Sequence, residues 1–226
     1  MRKVLIIFTM LFTILAADNL EDGLMASIGG NYEKAVKIFQ NIYDKGLDKN
    51  SLEYKISPEH ASVNVAAAKL GWMYQRGEGV EQDYKKAIYF FQQLADQGIG
   101  EGYYALATMY KFGRGVEKDY KKAVELYKKG ANKDYPAAQA NLAYMYGQGL
   151  GVKKDYTKSI ELNIKATENG DAIAPYNLGY IYVMGTGVKV DKVKAYQYWK
   201  KAANRGNTDA KDNLNILCKE SPWACK

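Results

Sequence analysis

The chain has 226 residues, of which 47% are hydrophobic and 13% aromatic, and its formal net charge is +7. This length suffices for one elongated domain, and a mildly basic surface suits anionic partners in general. Most of the lysine pairs fall on predicted second helices of the repeats described below, which is typical of a solvated outer face, so we expect no nucleic-acid partner.

A short basic and then apolar segment opens the chain. Two basic residues precede an apolar run from Val4 to Leu15, and Ala16 and Ala17 then supply small residues for cleavage. This order predicts a secretory signal peptide over residues 1–17, since the run is short for a membrane span. Its removal takes away two positive charges and lowers the net charge from +7 to +5. We expect a periplasmic or secreted protein with no stable membrane insertion, and an uncleaved N-terminal anchor is the alternative.

Residues 18–65 are predicted to form a degenerate repeat with an insertion. The segment Asn31–Ala35 matches Asp83–Ala87, but the two stand 52 residues apart instead of 36. The segment Leu47–Ile56 is therefore predicted to be a loop. The next helix is expected to start near Pro58, because a proline is tolerated at the first helical position.

Four units follow, at residues 66–101, 102–137, 138–173 and 174–206. A tyrosine, two glycines, a valine and an aspartate recur every 36 residues, as in Tyr74, Tyr110, Tyr146 and Tyr182, with Asp83, Asp119, Asp155 and Asp191. A fixed period of this length is typical of a solenoid, in which each unit buries its apolar face against its neighbours.

Each unit is predicted to be a helix–turn–helix hairpin. In the unit that starts at residue 66, apolar residues at helical spacing lead to Gly77 and Gly79, which end the first helix and permit positive φ in the turn. Asp83 is placed to cap the second helix. The small residues Gly71 and Ala87 would let the two helices approach closely. We therefore predict an all-α solenoid.

The last segment, residues 207–226, is predicted to be a capping helix with a disulfide. Thr208–Cys218 aligns with a first helix, and solenoids need such caps. Cys218 and Cys225 are the only cysteines, and an even count in an exported chain suggests a disulfide. The closed loop is short, so its stabilisation is about 2–3 kcal/mol at most. A redox pair is the alternative, although the spacing is not C-x-x-C.

The repeated pattern resembles that of the Sel-1-like repeat family. The pattern A-x-x-L-G-x-M-Y-x-x-G-x-G-V-x-x-D-x-x-K-A is present here at Ala67, Leu70, Gly71, Met73, Tyr74, Gly77, Gly79, Val80, Asp83, Lys86 and Ala87. The resemblance implies a right-handed α/α superhelix similar to tetratricopeptide arrays, which acts as an adaptor for other proteins. The chain is also distantly similar to the Helicobacter cysteine-rich proteins, an exported branch with a cysteine pair in nearly every repeat. Some of that branch carry a β-lactamase or penicillin-binding label, but the four full repeats here hold no cysteine.

No motif in the sequence indicates catalysis, a metal or a cofactor. No serine is followed by lysine three places later, and we interpret the threonines with that spacing, Thr108, Thr186 and Thr208, as chance pairs. His60 is the only histidine, whereas a zinc enzyme usually needs two or three, or clustered cysteines. The Gly-x-Gly-Val loops follow helices rather than strands, so they do not indicate phosphate binding. We name no catalytic residue.

The predicted partner-binding surface lies on the first helices. In arrays of this shape these helices line the concave side, and the positions next to the core-facing ones should face the groove. Tyrosine and tryptophan are common interface anchors. The candidates are Trp72, Gln75, Tyr104, Thr108, Lys111, Tyr144, Tyr176 and Tyr180. Packing of these rings between neighbouring repeats is the alternative interpretation.

Three functions are compatible with the sequence. The first is an exported, monomeric scaffold that binds a protein or peptide in the concave groove. The second is a protein that binds or hydrolyses β-lactams or peptidoglycan, which rests on family analogy alone. The third is an envelope immunity protein that blocks a toxic effector. The missing catalytic motif disfavours an enzyme, and the first function is our principal interpretation.

Overall fold

The computed structural model describes residues 19–47 and 58–226, and every regular element within them is a helix, which confirms the predicted all-α fold. The helices are α1 (residues 19–28), α2 (Tyr32–Leu47), α3 (Pro58–Arg76), α4 (Tyr84–Asp96), α5 (Gly100–Phe112), α6 (Tyr120–Ala131), α7 (Pro136–Gln148), α8 (Tyr156–Glu168), α9 (Ala174–Met184), α10 (Lys192–Asn204) and α11 (Thr208–Glu220), followed by a 3-10 turn, Pro222–Cys225. Of these helices, none is long and apolar enough to cross a membrane.

Some predictions fall outside the described residues. These are the signal peptide over residues 1–17 and residues 48–56 of the predicted loop. The helix expected near Pro58 begins there. At the other side of the loop, α2 continues to Leu47, so the first residue of the predicted loop is helical. Gly46, which stands 52 residues before Gly98, lies inside this helix, whereas Gly98 follows the end of α4.

The described residues fall into two compact units, which divide between Gly98 and Ile99. In the first unit α3 and α4 form a hairpin, and α2 packs against α3. Its buried side chains include Phe39, Leu70, Met73 and Phe91.

In the second unit each helix packs against the next along the chain. The hairpins are α5 with α6, α7 with α8, and α9 with α10, and α11 packs against α10. Tyr127, Met145 and Leu178 are fully buried there, and Trp199 is 4% exposed. This succession of neighbour contacts is the arrangement expected of a solenoid.

The recurring aspartates cap the second helices, as predicted for Asp83. Asp83 Oδ1 accepts a hydrogen bond from the Lys86 backbone N–H at 3.0 Å, and its own N–H donates to the Tyr74 carbonyl at 2.9 Å. Asp119, Asp155 and Asp191 make the same pair of bonds in their units. Each aspartate therefore joins the end of a first helix to the start of a second, which explains its fixed position in the repeat.

Close packing between the two helices of a hairpin depends on a small residue facing a large one. A Cβ on Gly71 would overlap the Phe91 ring, and a Cβ on Gly179 would overlap the Trp199 ring. The same repeat position holds Ala107 and Ala143 in the two units between them. Glycine thus occurs in the two units where a Phe or Trp ring lies opposite.

The C-terminal helix is fastened to the turn that follows it. The predicted disulfide is confirmed, since the sulfurs of Cys218 and Cys225 are 2.03 Å apart. Asn207 caps α11 by accepting from the Ala210 N–H at 2.8 Å. Lys192 on α10 donates to the Ser221 hydroxyl at 2.8 Å, which ties the turn to the preceding hairpin.

Candidate functional site

A depression in the second unit crosses the first helices α5, α7 and α9. Its volume is about 320 Å³, and its lining includes Tyr104, Lys111, Asn141, Tyr144, Asp171 and Asn177. We call it the Lys111 depression. Three of the predicted partner-binding residues, Tyr104, Lys111 and Tyr144, line it, so helices that are separate in sequence bring them together.

The centre of this depression is a half-buried ammonium group. Lys111 Nζ donates to Asn141 Oδ1 at 3.1 Å and lies 4.7 Å from the centroid of the Tyr144 ring. The centroid of the Phe112 ring is also 5.1 Å from Nζ, so the partners of this cation are a neutral amide oxygen and two aromatic rings, whose faces attract cations. Burial lowers the pKa of Lys111 from its usual value. No carboxylate in the described parts of the chain lies within ion-pair distance of this group.

The side chain of Asn141 is oriented by a hydrogen bond to its own helix. Its Nδ2 donates to the Ala137 carbonyl one turn earlier at 2.9 Å, so its Oδ1 points toward Lys111. The same Oδ1 is 3.5 Å from the hydroxyl of Tyr127. Because Tyr127 is fully buried, Asn141 links the core of the α5–α6 hairpin to the floor of the depression.

Thr108 lies between Tyr104 and Lys111 on α5, but its hydroxyl is engaged internally. Thr108 Oγ1 donates to the Tyr104 carbonyl at 2.9 Å and lies 3.2 Å from the Tyr127 hydroxyl. The Tyr104 ring packs against Tyr127 and Tyr135, with centroids 6.1 and 5.4 Å apart. Burial raises the pKa of Tyr104. Tyr104 therefore lines one side of the depression, and the hydrogen bonds of Thr108 stabilise this side from within the protein.

The two predicted tyrosines of α9 differ in exposure. Tyr176 packs against the buried cluster around Trp199, and its carbonyl accepts from Trp199 Nε1 at 3.2 Å. Tyr180 is 51% exposed, with its ring centroid 6.3 Å from that of Trp199. Tyr180 on α9 and Tyr144 on α7 occupy the same repeat position, so successive first helices each present a half-exposed ring.

The two remaining candidates belong to the first unit. The Trp72 ring is half-buried and lies 4.9 Å from the Phe91 ring. Gln75, predicted to face a partner, is only 4% exposed. The Gln82 side chain reaches back from the turn and donates to the Gln75 carbonyl at 2.9 Å. The turn therefore folds back onto this end of α3, and the side chain of Gln75 is covered rather than presented.

Several lining residues were not among the predicted candidates. Asn141 and Asn177 occupy one repeat position, immediately before the core leucine, and Asn213 continues the series. This recurrence of asparagine every 36 residues is visible in the sequence, but a search for aromatic anchor residues does not detect it. Asp171 precedes α9, where its Oδ1 accepts from the N–H groups of Ile173 and Ala174 at 2.8 and 2.6 Å.

The depression offers recognition groups. Its polar atoms are an ammonium, two carboxamides and a carboxylate, and its apolar surface comes from Tyr144 and Ile173. Within residues 19–47 and 58–226, no group of three or more His, Cys, Asp or Glu side chains could hold a metal ion. The arrangement is suited to binding a chain that has both polar and apolar side groups.

Comparison with known proteins agrees with this architecture. The family model described as Sel1 repeat matches residues 14–47, 64–99, 100–135, 136–171 and 172–207. No curated protein sequence gives a match.

Solved structures with the same fold include two relevant neighbours. A Sel1 repeat protein from Oxalobacter formigenes is 30% identical, with a TM-score of 0.69, and the match covers 86% of this chain and 73% of that one. The protein c5321, described as a protective antigen of uropathogenic Escherichia coli strains displaying an SLR fold, is 24% identical with a TM-score of 0.65. That match covers 88% of this chain and 43% of c5321.

Proposed function

Because this chain belongs to the Sel1 repeat family, whose α/α solenoids are typically protein–protein interaction scaffolds, we propose that it is an exported monomeric scaffold that seats a peptide segment of a partner protein in the Lys111 depression. The observation that carries the proposal is the lining of the depression. A half-buried cation and half-exposed tyrosines lie on consecutive first helices, with no intramolecular carboxylate paired to the cation in the described residues.

The chemistry of the lining supports a protein ligand. Tyr144, which lines the depression, is 49% exposed, and Tyr180, which holds the same repeat position on α9 but is not part of the lining, is 51% exposed. Each can bury apolar area against a partner while its hydroxyl stays solvated. Tyrosines in such positions often dominate the binding energy of an interface. The carboxamides of Asn141 and Asn177 match the donors and acceptors of a peptide backbone.

Export is part of the same proposal. The predicted signal peptide at residues 1–17 and the disulfide between Cys218 and Cys225 both fit an oxidising compartment outside the cytoplasm. Mass spectrometry of periplasmic and culture-supernatant fractions tests it, with a mature N-terminus at Asp18 as the expected result. Recovery of the full-length chain from the cytoplasm would contradict it.

The scaffold function is tested by capture and reconstitution. The mature protein is used to capture partners from envelope and supernatant fractions. The captured protein is then identified and purified, and the Kd of its complex with the mature protein is measured. We expect Tyr144→Ala with Tyr180→Ala to weaken binding by at least about tenfold, since hot-spot residues contribute more than about 1 kcal/mol each. Trp223→Ala is the matched control, because Trp223 is 62% exposed on the C-terminal turn and does not line the Lys111 depression.

Measurements of folding distinguish the loss of a binding contact from the loss of the fold. All three proteins should have the same circular dichroism spectrum and similar Tm values, because the substituted rings are exposed. Equal affinities for wild type and the double variant would place the binding surface elsewhere and refute the proposal.

A further inference from the structure

We propose that the Lys111 depression is a subsite for an acidic side chain, Asp or Glu, of an extended peptide. The inference rests on the proposed scaffold function and specifies what its ligand must contain.

The first argument is the incomplete pairing of Lys111. An ammonium group has three donors, and Lys111 gives one of them to the neutral Asn141 Oδ1 at 3.1 Å. Taking a charge out of water is costly unless an opposite charge or several hydrogen bonds replace the water. An incoming carboxylate would add a charge-assisted bond, which is about twice as strong as a neutral one. The site therefore favours a carboxylate over the corresponding amide.

The second argument is that the cation is fixed in place before a ligand arrives. The bond from Asn141 to the Ala137 carbonyl orients the acceptor that holds Lys111. The Tyr144 ring faces the same ammonium group at 4.7 Å. The Phe112 ring lies 5.1 Å from it as well. Because a long side chain loses rotamer freedom when it binds, a lysine already held by one amide oxygen and two rings loses less on pairing with a carboxylate.

The third argument concerns the rest of the ligand. Asp171 lines the same depression from α9, and its Oδ1 is occupied by two backbone N–H groups. Asn177 also lines it, and its carboxamide makes no hydrogen bond with the described residues. A second carboxylate is disfavoured near Asp171, whereas peptide N–H and C=O groups can pair with Asn177. The lining thus favours one acidic side chain, near Lys111, on a chain that continues toward α9.

The fourth argument is the apolar area beside the cation. Tyr144 is 49% exposed and Ile173 is 59% exposed, and both line the depression. A free small carboxylate would gain the ion pair alone, and one such contact does not offset the translational and rotational freedom that is lost on binding. A peptide gains the ion pair together with burial of these side chains, so a peptide is the occupant that this surface can hold.

The test uses a random dodecapeptide library displayed through its C-terminus, so that every carboxylate the library offers is a side chain. Selections are run on wild type, on Lys111→Gln, and on the control Lys154→Gln, which removes the same charge from an exposed lysine over Tyr156 in the turn before α8. We expect Asp or Glu at one fixed position among sequences selected on wild type and on Lys154→Gln. This preference should disappear on Lys111→Gln. It should persist on Lys111→Arg, which keeps the positive charge and provides a second test if the Gln variant fails to fold.

The Kd of a synthetic peptide from the selection then measures how much the acidic side chain contributes to binding. Replacing its acidic residue with the amide, and Lys111 with Gln, should each weaken binding roughly tenfold, as expected for a hydrogen bond to a charged group. The two changes together should cost little more than either alone. Selected peptides that show no acidic position would overturn the inference and leave the scaffold function standing. Failure of every protein to enrich any sequence would overturn both.

Discussion

Thr108 and Lys111 are one helical turn apart on α5, and their side chains have different roles. The Thr108 hydroxyl bonds to the Tyr104 carbonyl and lies 3.2 Å from the buried Tyr127 hydroxyl, while the Lys111 ammonium group lines the depression. Both residues were predicted to contact a partner. The distances assign Thr108 to the internal support of the site, and this assignment can be tested separately.

Thr108→Val should lower stability without changing the binding surface. Valine keeps the shape of threonine but removes the hydroxyl partner of Tyr127, whose OH is otherwise 3.5 Å from Asn141 Oδ1. A buried hydroxyl that loses its partner costs about 1–3 kcal/mol. Urea unfolding should show this loss, and Thr108→Ser should restore most of it. An unchanged free energy of unfolding would show that the hydroxyl contributes nothing to the core.

Asn141→Asp should supply Lys111 with an internal counter-ion. The new carboxylate would replace an acceptor that is 3.1 Å from the ammonium group, so the pKa of Lys111 should rise toward its usual value. The substitution gains an ion pair in a partly open site but loses the bond that Asn141 Nδ2 donates to the Ala137 carbonyl, so we expect a net stability change of only about 0–1 kcal/mol. The preference for acidic peptides should be lost. Asn177→Asp is the control, and retention of the preference by Asn141→Asp would contradict the role of Lys111.

At the scale of the hairpin, the pairing of a small residue with a large ring sets how closely two helices approach. Gly71→Ala should destabilise the first unit by about 1–3 kcal/mol, because the added Cβ overlaps the Phe91 ring. Phe91→Leu costs packing on its own but makes room for that Cβ, so the double variant should be less destabilised than the sum of the single changes. Urea unfolding of the four proteins measures this coupling. Strict additivity would show that the two residues do not compete for space.

The C-terminal disulfide is expected to act locally. The cysteines are seven residues apart in sequence, so the loop they close is short and its entropic contribution is about 2 kcal/mol. Cys218→Ser with Cys225→Ser should increase amide hydrogen exchange in α11 and leave α5 to α8 unchanged, since α11 packs on α10 and the final turn. Exchange that increases equally throughout the second unit would instead show that the cap holds the whole unit together.

At the scale of the molecule, contacts between successive helices predict that one hairpin can be removed. Deleting residues 133–168 joins Asn132 to Asn169 and takes out α7 and α8 in register with the 36-residue period. The shortened chain should keep its helical signal per residue and unfold with a smaller m-value, because less surface becomes exposed. Circular dichroism in urea checks both. Loss of the helical signal would indicate that the removed hairpin stabilises helices beyond the ones that it contacts directly.

The repeat period predicted the helices and the aspartate caps, because both depend on local sequence, and the even cysteine count in a chain expected to be exported predicted the disulfide. The role of individual side chains was less predictable. Helical spacing placed Gln75 and Thr108 toward a partner, but Gln75 is buried and the Thr108 hydroxyl bonds internally. The internal bond of Thr108 depends on a buried ring from the next helix, Tyr127, and a helical wheel of α5 does not contain the position of that ring. The burial of Gln75 likewise depends on tertiary packing around the end of α3.

In two of the turns, the position of the second glycine has an evolutionary consequence. A Cβ on Gly79 would overlap the Tyr32 carbonyl, and a Cβ on Gly151 would overlap the Tyr120 carbonyl, so at these points the main chains of adjacent repeats touch directly. Contact between main chains does not depend on which side chains surround it. Mutations that change the exposed residues of α5, α7 and α9 can therefore accumulate while the spacing of the hairpins is preserved. A lineage with this backbone can change its partner by altering single exposed residues, without first inventing a new fold.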